Sequence, residues 1–535
     1  MTRNILTVFL KNVESNKYLN EVQTCFGENG IMKSSIFSQI RKGVFWTAFF
    51  NSISFILNFG SSVVLARLLF PEDFGLMGLA SIAIQFARRI ANFGFTSVLV
   101  WLKDIKQEHY DTVYFFNLFL MSLVSIGLFF SAPYYADFFN SEQLTLMIRV
   151  ISIDFMLNAF ASVPYSILKR HMKFDWIGVA ETMGRLANIV VAVVLAISGA
   201  GVWSLVFGTL AGSFVLRTVL VRFATKRLDW RPGFKIRLWA LKDTFAFGAW
   251  VYVNTYIGYG VDNVDYFFIG KFLGTTQLGF YERAFRLMSM PRKRIVRVAN
   301  SVLFSGYSRM QDDDHLIGKA LLRVVTYLSC IGYPLMIWFY FAAPSLIPIL
   351  YGERWNPVVI PLQIMCISGL LDSFTLLFQP LLRAKGLIAH HTRRSFTYFI
   401  VLSVSIILTL RWGIVGVSWG IVFSSLINLS LMLQITIANL PLKLIDFVKA
   451  QLSAIIYGTV QIAASSALLF VPNSVLPTNS FITLGAITAV SVSSLIGAHL
   501  VFRFKDVNDI VLDIFSQIRK VTRKLPIVKN TRLAQ

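Results

Sequence analysis

Long apolar runs separated by short polar loops dominate the chain. Read in windows of about 20 residues, the length that crosses a bilayer as a helix, they predict fourteen membrane-spanning helices. The predicted spans are 43–65, 74–100, 112–136, 144–168, 176–198, 200–222, 244–270, 278–305, 319–350, 358–382, 395–410, 413–438, 450–471 and 479–502. The long span 319–350 could end in an interfacial turn at Pro344 and Pro348. The pattern therefore predicts an all-α integral membrane protein.

The polar landmarks of residues 43–101 recur 204 positions later in the chain. The landmarks that align are Trp46 with Trp250, Arg67 with Lys271, Leu69 with Leu273, Gly75 with Gly279, and the basic pair Arg88-Arg89 with Arg292-Lys293. Chance similarity between two apolar helices does not readily explain a matched basic pair, so the sequence predicts an internal duplication. Two related halves in a membrane protein are typical of transporters whose substrate site lies between the halves.

The duplication predicts two pseudo-symmetric six-helix bundles around a central cavity, with two further helices after them. The predicted segments are a cytoplasmic N-terminal segment 1–42, an N-terminal bundle 43–222, a cytoplasmic linker 223–243, a C-terminal bundle 244–438, two additional transmembrane helices in 439–502, and a basic cytoplasmic tail 503–535.

Composition and charge agree with a membrane protein. The chain is 56% hydrophobic and 14% charged, with a mean hydropathy of +0.64, which excludes an ordinary soluble protein. If the N-terminus is cytoplasmic, the outer loops contain only four basic residues: Arg67, Lys271, Arg354 and Arg411. This asymmetry predicts that both termini are cytoplasmic. We therefore expect that the basic residues behind the net charge of +23 orient the protein in the membrane and contact anionic lipid headgroups. No nucleic-acid partner is expected.

Four of the predicted helices carry polar stripes at helical spacing. The basic candidates are Arg88, Arg89, Arg283, Arg286, Lys293 and Arg297, and the polar and aromatic candidates are Asn51, Asn58, Asn92, Tyr252, Tyr256, Tyr259 and Asn263. An arginine at the centre of a membrane helix costs about 2.5–3.5 kcal/mol, so such groups usually face a water-filled cavity. We expect the basic stripes to bind a diphosphate and the aromatic stripe to bind sugar.

Other interpretations of these stripes remain open. The basic side chains could snorkel to the inner interface, or Pro291 could end the eighth span early. The tyrosines could form an aromatic packing stripe.

Four carboxylates inside predicted spans are candidates for a coupling proton or cation: Asp154, Asp262, Asp265 and Asp372. Each could instead neutralise an arginine in the cavity. The three cysteines lack the spacing of a metal site, and no nucleotide-binding or catalytic motif is present, so we expect no cofactor, no metal and no enzymatic activity.

Stretches in both halves of the chain resemble one family of transporters. Residues 63–76, VVLARLLFPEDFGL, and the second-half stretches 268–274, FIGKFLG, and 278–281, LGFY, are similar to the Wzx-type polysaccharide-transporter flippases. These flippases belong to the multidrug/oligosaccharidyl-lipid/polysaccharide exporter superfamily. The resemblance covers roughly residues 33–440 and implies two six-helix bundles around a cationic cavity. Arg88, Arg89, Arg283 and Arg286 fit that description by position.

The resemblance also implies a function. Such a flippase moves undecaprenyl-diphosphate-linked oligosaccharide units from the cytoplasmic to the periplasmic leaflet of the bacterial inner membrane by alternating access. The units feed lipopolysaccharide O-antigen, capsule or exopolysaccharide assembly, and the pathway's polymerase and chain-length proteins are potential partners. The alternative is an exporter of another lipid-linked or drug-like substrate on the same fold.

Overall fold

The computed structural model describes residues 30–91, 99–100, 105–228, 230–233, 237, 249–470, 480–502 and 504. Every regular element in these ranges is helical, which confirms the all-α expectation. The α-helices are α1 (Gly30–Leu68), α2 (Pro71–Ala91), α3 (Gln107–Phe138), α4 (Gln143–Ile151), α5 (Ile153–Arg170), α6 (Phe174–Ile197), α7 (Val202–Arg227), α8 (Ala249–Phe272), α9 (Gly274–Arg309), α10 (Asp314–Tyr351), α11 (Val359–Ala384), α12 (Ile388–Thr409), α13 (Gly413–Asn439), α14 (Leu444–Lys449), α15 (Leu452–Leu469) and α16 (Ser480–Phe502). Short 3₁₀ turns cover Glu353–Val358 and Leu410–Trp412.

The expected fourteen membrane spans are not all found among the described residues. By length and hydropathy, the described residues contain ten candidate spans, one of which, His390–Asn439, includes both α12 and α13. The helices α8 and α9, which carry polar stripes, do not meet the criterion, and the apolar part of α15 is too short. A count of fourteen is therefore not confirmed, although the chain is a multi-pass membrane protein.

The prolines inside α9 and α10 do not end these helices. The helix α10 runs through Pro344 and Pro348 to Tyr351, so the expected interfacial turn is wrong. The helix α9 likewise continues through Pro291 to Arg309, which excludes an early end of the eighth predicted span. Neighbouring helices and local adjustments can satisfy the backbone groups that a proline frees in a membrane helix.

The described residues form two compact units. The first unit comprises those of Glu21–Glu282 together with Leu402–Val417. Within it α6 packs on α1 and α7, α5 packs on α3 and α7, and α8 packs on α2. The helices α6 and α7 approach closely because they meet at small residues: Gly208 faces Ala192, and Gly212 faces the carbonyl of Gly184. Gly208 and Gly212 are four positions apart, the spacing of small residues that is typical of close packing between membrane helices.

The second unit comprises the described residues of Arg283–Val401 and Ser418–Gln535. Its central helix is α10, against which α11, α15 and α16 pack. Aromatic side chains of α9 and α11, such as Tyr307, Phe374 and Phe378, fill its core. The predicted bundle boundaries at 222 and 244 stay a prediction, because they rest on the duplication.

The outer faces of the helices are apolar. Phe119 and Phe130 on α3, Val194 on α6, and Ile407 and Leu408 on α12 are among the large hydrophobic side chains that are more than half exposed. A soluble protein rarely exposes so much contiguous apolar surface, whereas a bilayer covers it.

The duplicated segments meet each other in the first unit. A Cβ atom at Gly75 would overlap the carbonyl oxygen of Thr275, and one at Gly279 would overlap the carbonyl oxygen of Pro71. The same shift of 204 positions relates Gly75 to Gly279 and Pro71 to Thr275. The contact between the first turns of α2 and α9 is therefore reciprocal, as it is at a two-fold axis. At this contact, positions that the predicted repeat aligns face each other.

Candidate functional site

Arg88 and Asp154 form an ion pair inside the first unit. Arg88 lies in the last turn of α2 and Asp154 in the first turn of α5. Nη2 of Arg88 donates to Oδ2 of Asp154 at 2.8 Å. The Asp154 side chain is only 3% exposed, whereas that of Arg88 is 44% exposed. The pairing agrees with the second interpretation of Asp154, in which it neutralises an arginine.

A second arginine approaches the same carboxylate from α7. Nη2 of Arg217 lies 3.8 Å from Oδ1 of Asp154, and the Arg217 side chain is 15% exposed. Among the described residues, neither that oxygen nor Nε of Arg217 has a hydrogen-bond partner. We call Arg88, Asp154 and Arg217 the α2–α5–α7 cluster. Two guanidinium groups share one carboxylate, so the cluster is positive, and Arg88 is the member that a ligand can reach.

Arg89 faces a different neighbour from Arg88. Its guanidinium carbon lies 4.5 Å from the ring centroid of Tyr259 on α8, a cation–π contact. The hydroxyl of Tyr259 donates to the carbonyl of Ile82 at 2.5 Å. Phe86 lies between this ring and that of Tyr256, with centroid distances of 5.8 and 5.9 Å. The predicted basic stripe of α2 and the predicted aromatic stripe of α8 therefore meet in one place.

The two carboxylates of α8 occupy different environments. Asp262 is exposed, whereas Asp265 is buried. Asp265 accepts a hydrogen bond from the Tyr281 hydroxyl and another, of 2.9 Å, from the backbone N–H of Tyr266. The two donors satisfy the oxygens of this buried side chain. Asp265 thus serves a packing contact between α8 and α9, and Asp262 is the member of the pair that solvent can reach.

The remaining predicted residues are distributed over several helices. Asn51 is exposed and Asn58 half-buried on α1, while the side-chain amide of Asn263 donates to the carbonyl of Tyr259, one turn earlier in α8. In the second unit Arg283 is buried, Arg286 exposed and Asp372 half-buried. Asn92 lies outside the described residues. Tyr252, Lys293 and Arg297 lie on α8 and α9, but their side chains are outside the described part of the chain.

Sequence reasoning missed several polar residues of the first unit. Arg217 lies in the middle of the apolar helix α7, whose other basic residues, Arg222, Lys226 and Arg227, stand toward its end, so it forms no stripe. An arginine inside a span is nevertheless itself a signal. Arg185 on α6 likewise has a buried Nε without a hydrogen-bond partner in the described part of the chain. Tyr135 on α3 donates to the carbonyl of Leu79 on α2 at 2.9 Å. A lone hydroxyl of this kind gives no pattern from which its partner could be predicted.

Comparison with known proteins identifies the family of this chain. Residues 64–360 match the family described as polysaccharide biosynthesis protein. The chain belongs to this family. The matched range includes α2 to α10 and therefore the whole α2–α5–α7 cluster.

Three relatives from bacterial polysaccharide biosynthesis are similar in sequence to the chain. The chain is 25% identical over 390 residues to the lipopolysaccharide biosynthesis protein WzxC of Escherichia coli (strain K12), covering 72% of this chain and 78% of WzxC. It is 24% identical over 344 residues to the teichuronic acid biosynthesis protein TuaB of Bacillus subtilis (strain 168), covering 63% of this chain and 69% of TuaB. It is 27% identical over 325 residues to the succinoglycan biosynthesis transport protein ExoT of Rhizobium meliloti (strain 1021), covering 59% of this chain and 63% of ExoT.

Solved structures share the fold. The lipid II flippase MurJ, in an inward closed conformation, superimposes with a TM-score of 0.66 at 15% identity, covering 85% of this chain and 98% of MurJ. An inward-facing multidrug resistance transporter of the MATE family gives a TM-score of 0.57 at 15% identity, covering 77% of this chain and 95% of that transporter. The comparisons confirm the expected family and the multi-helix transporter fold. They also show that the chain is a membrane protein of the polysaccharide biosynthesis family.

Proposed function

We propose that the protein flips polyprenyl-diphosphate-linked oligosaccharide units, in the undecaprenyl form in bacteria, from the cytoplasmic to the periplasmic leaflet of the inner membrane. The observation that carries this proposal is the α2–α5–α7 cluster, because two arginines against one carboxylate leave a net positive charge inside a membrane protein of polysaccharide biosynthesis. A diphosphate matches the planar donors of the exposed Arg88 guanidinium. An exporter of cationic drugs would favour acidic residues at the same place.

The neighbouring aromatic contact suits the sugar part of the substrate. Tyr256 and Tyr259 present rings beside Arg89, and aromatic rings pack against the apolar faces of sugars. The prenyl chain stays in the lipid, and alternating access moves the headgroup across. In this scheme both termini are cytoplasmic, the product enters polymer assembly outside, and the pathway's polymerase and chain-length proteins receive it.

A reconstituted assay tests the proposal. Purified protein in vesicles is given a fluorescent lipid-linked oligosaccharide, and the fraction that an external, membrane-impermeant reagent can reach is followed with time. We expect Arg88→Ala to slow the flipping of the diphosphate-linked lipid strongly and Arg88→Lys to slow it less, because lysine keeps the charge but loses the bidentate geometry. The matched control is Arg222→Ala, which removes an exposed arginine of α7 outside the cluster.

The assay also separates the two functional classes. The wild-type protein is expected to move the diphosphate-linked lipid and not a cationic dye of the kind that drug exporters carry. Transport of the dye, or full flipping activity in Arg88→Ala, would refute the proposal.

A further inference from the structure

A pocket that plays no part in the site above lies in the second unit, between α10 and α14. Its volume is about 510 Å³, within the range of about 300–1,000 Å³ that holds small ligands. Its charged lining comes from Arg323 on α10 and from Asp446 and Lys449 on α14, and the remaining lining residues are Leu322, Thr326, Tyr327 and Ala450. The pocket therefore combines two cations, one anion and an aromatic ring.

Local contacts hold the charged groups of this pocket in place. Nε of Arg323 donates to the hydroxyl of Tyr327 at 3.1 Å, and the guanidinium carbon lies 5.7 Å from the ring centroid of the same tyrosine. Asp446 accepts a hydrogen bond of 2.9 Å from the backbone N–H of Lys443 and so caps the first turn of α14. Two cations, Arg323 and Lys449, against the one carboxylate of Asp446 leave the lining with a net positive charge that can attract an anion.

The helix α14 is placed like an interfacial helix. It has six residues and lies in the connection between α13 and α15. Phe447 anchors it, because this ring is buried against Phe374 and Phe378 of α11, at centroid distances of 5.8 and 6.2 Å. On its outer side Leu444, Ile445 and Val448 are 57%, 51% and 44% exposed, and so is Leu452 just beyond it, at 48%. Apolar side chains exposed beside a charged surface are typical of helices that lie in the membrane interface.

We propose that this pocket binds the headgroup of an anionic glycerophospholipid such as phosphatidylglycerol. The phosphate would lie between the guanidinium of Arg323 and the ammonium of Lys449, and the acyl chains would lie along Leu444, Ile445 and Val448. An exposed basic pair beside exposed apolar side chains matches the two chemical parts of a phospholipid. A free phosphate would use the cations but not the apolar surface. The proposal concerns a resident lipid and does not depend on which substrate the protein transports.

Native mass spectrometry of the intact protein tests the proposal. Detergent-solubilised protein is mixed with equal amounts of phosphatidylglycerol and phosphatidylethanolamine, and the retained lipid is counted for each variant. We expect the wild-type protein to retain phosphatidylglycerol preferentially. A basic side chain in contact with an anionic headgroup contributes a factor of about five to its binding, so Arg323→Gln and Lys449→Gln should each lower retention about fivefold, and the double variant about 25-fold.

Two controls keep the experiment decisive. Lys443→Gln removes a neighbouring exposed lysine that does not line the pocket, so it should retain phosphatidylglycerol like the wild type. Thermal unfolding of each variant in detergent separates loss of the lipid from loss of the fold. Equal retention of the two lipids by the wild type, or unchanged retention in the double variant, would overturn the proposal. An equimolar polyprenyl diphosphate that displaces the phospholipid completely would instead assign the pocket to the carrier lipid, and this outcome also overturns it.

Discussion

The carboxylate of Asp154 stands against two guanidinium groups, those of Arg88 and Arg217. Removal of one partner from a buried ion pair costs about 3–5 kcal/mol, because the other charge is left uncompensated. Asp154→Asn leaves both guanidinium groups without a counter-charge, although Arg88 is partly hydrated. We therefore expect a loss of stability toward the lower end of that range, measured as a lower midpoint of thermal unfolding in detergent.

A second substitution in the same cluster tests the assignment. Arg217→Gln in the Asp154→Asn background removes the uncompensated buried charge, so the double variant should recover part of the lost stability, a coupling that a double-mutant cycle measures. Asp137→Asn, at an exposed position in the last turn of α3, is the control and should change little. Strictly additive losses would mean that the two side chains do not interact.

At the residue scale, the sequence indicates which charged residues are candidates for the site but not which residues they contact. Arg88 and Arg89 were recognised as functional candidates because arginine is costly in an apolar helix. Consecutive residues of a helix point about 100° apart, so they face different neighbours. Arg88 faces Asp154 and Arg89 faces Tyr259. Which helix covers each face depends on packing between elements, and periodicity within α2 carries no information about it.

At the scale of elements, the crossing of α2 and α9 gives a sharp prediction. Alanine at Gly75 or Gly279 would place a Cβ on a carbonyl oxygen of the opposite helix, and backbone cannot move aside as the end of a side chain can. Each single substitution should therefore lower the unfolding midpoint by a similar amount, because the two contacts are equivalent. The double variant should lose less than the sum, since the first substitution already separates the helices.

A glycine without close neighbours provides the control for this series. Gly127 lies inside α3 with nothing within 4 Å of a Cβ. Gly127→Ala should leave stability unchanged or raise it by up to about 1 kcal/mol, because alanine is the better helix former. Additive losses at Gly75 and Gly279, or an equal loss at Gly127, would contradict the close reciprocal crossing.

One pair of positions that the predicted duplication aligns lies in a helix contact, while the duplication itself stays a prediction. Gly75 and Gly279 were aligned from the sequence alone, and the structure brings their helices into contact. The count of fourteen spans stays a prediction, because α8 and α9 are not among the candidate spans found in the described residues. The proline turns were predicted wrongly in α10, since a membrane helix tolerates proline where its neighbours satisfy the backbone.

At the scale of the whole molecule, the charge asymmetry of the loops predicts the orientation in the membrane. With cysteines introduced singly into a variant that lacks Cys25, Cys330 and Cys366, Glu142→Cys and Glu353→Cys should react with a membrane-impermeant maleimide in intact cells. Arg393→Cys should react only after the cells are opened. Labelling of position 393 from outside would invert the proposed topology and with it the direction of transport.

Energy coupling is a property of the whole molecule. The two carboxylates of α8 allow a role in coupling and a role in packing to be tested separately. Asp262 is exposed and Asp265 is buried with two hydrogen-bond donors. We expect Asp265→Asn to lower the unfolding midpoint, because it weakens the contact with Tyr281. Asp262→Asn should abolish the response of flipping to an imposed proton or sodium gradient. A solvent-accessible carboxylate can exchange a cation, and the change of charge can favour one orientation of the transporter over the other. If Asp262→Asn responds to the gradient as the wild type does, the carboxylate is not the coupling site, and Asp372 of the second unit becomes the next candidate to test.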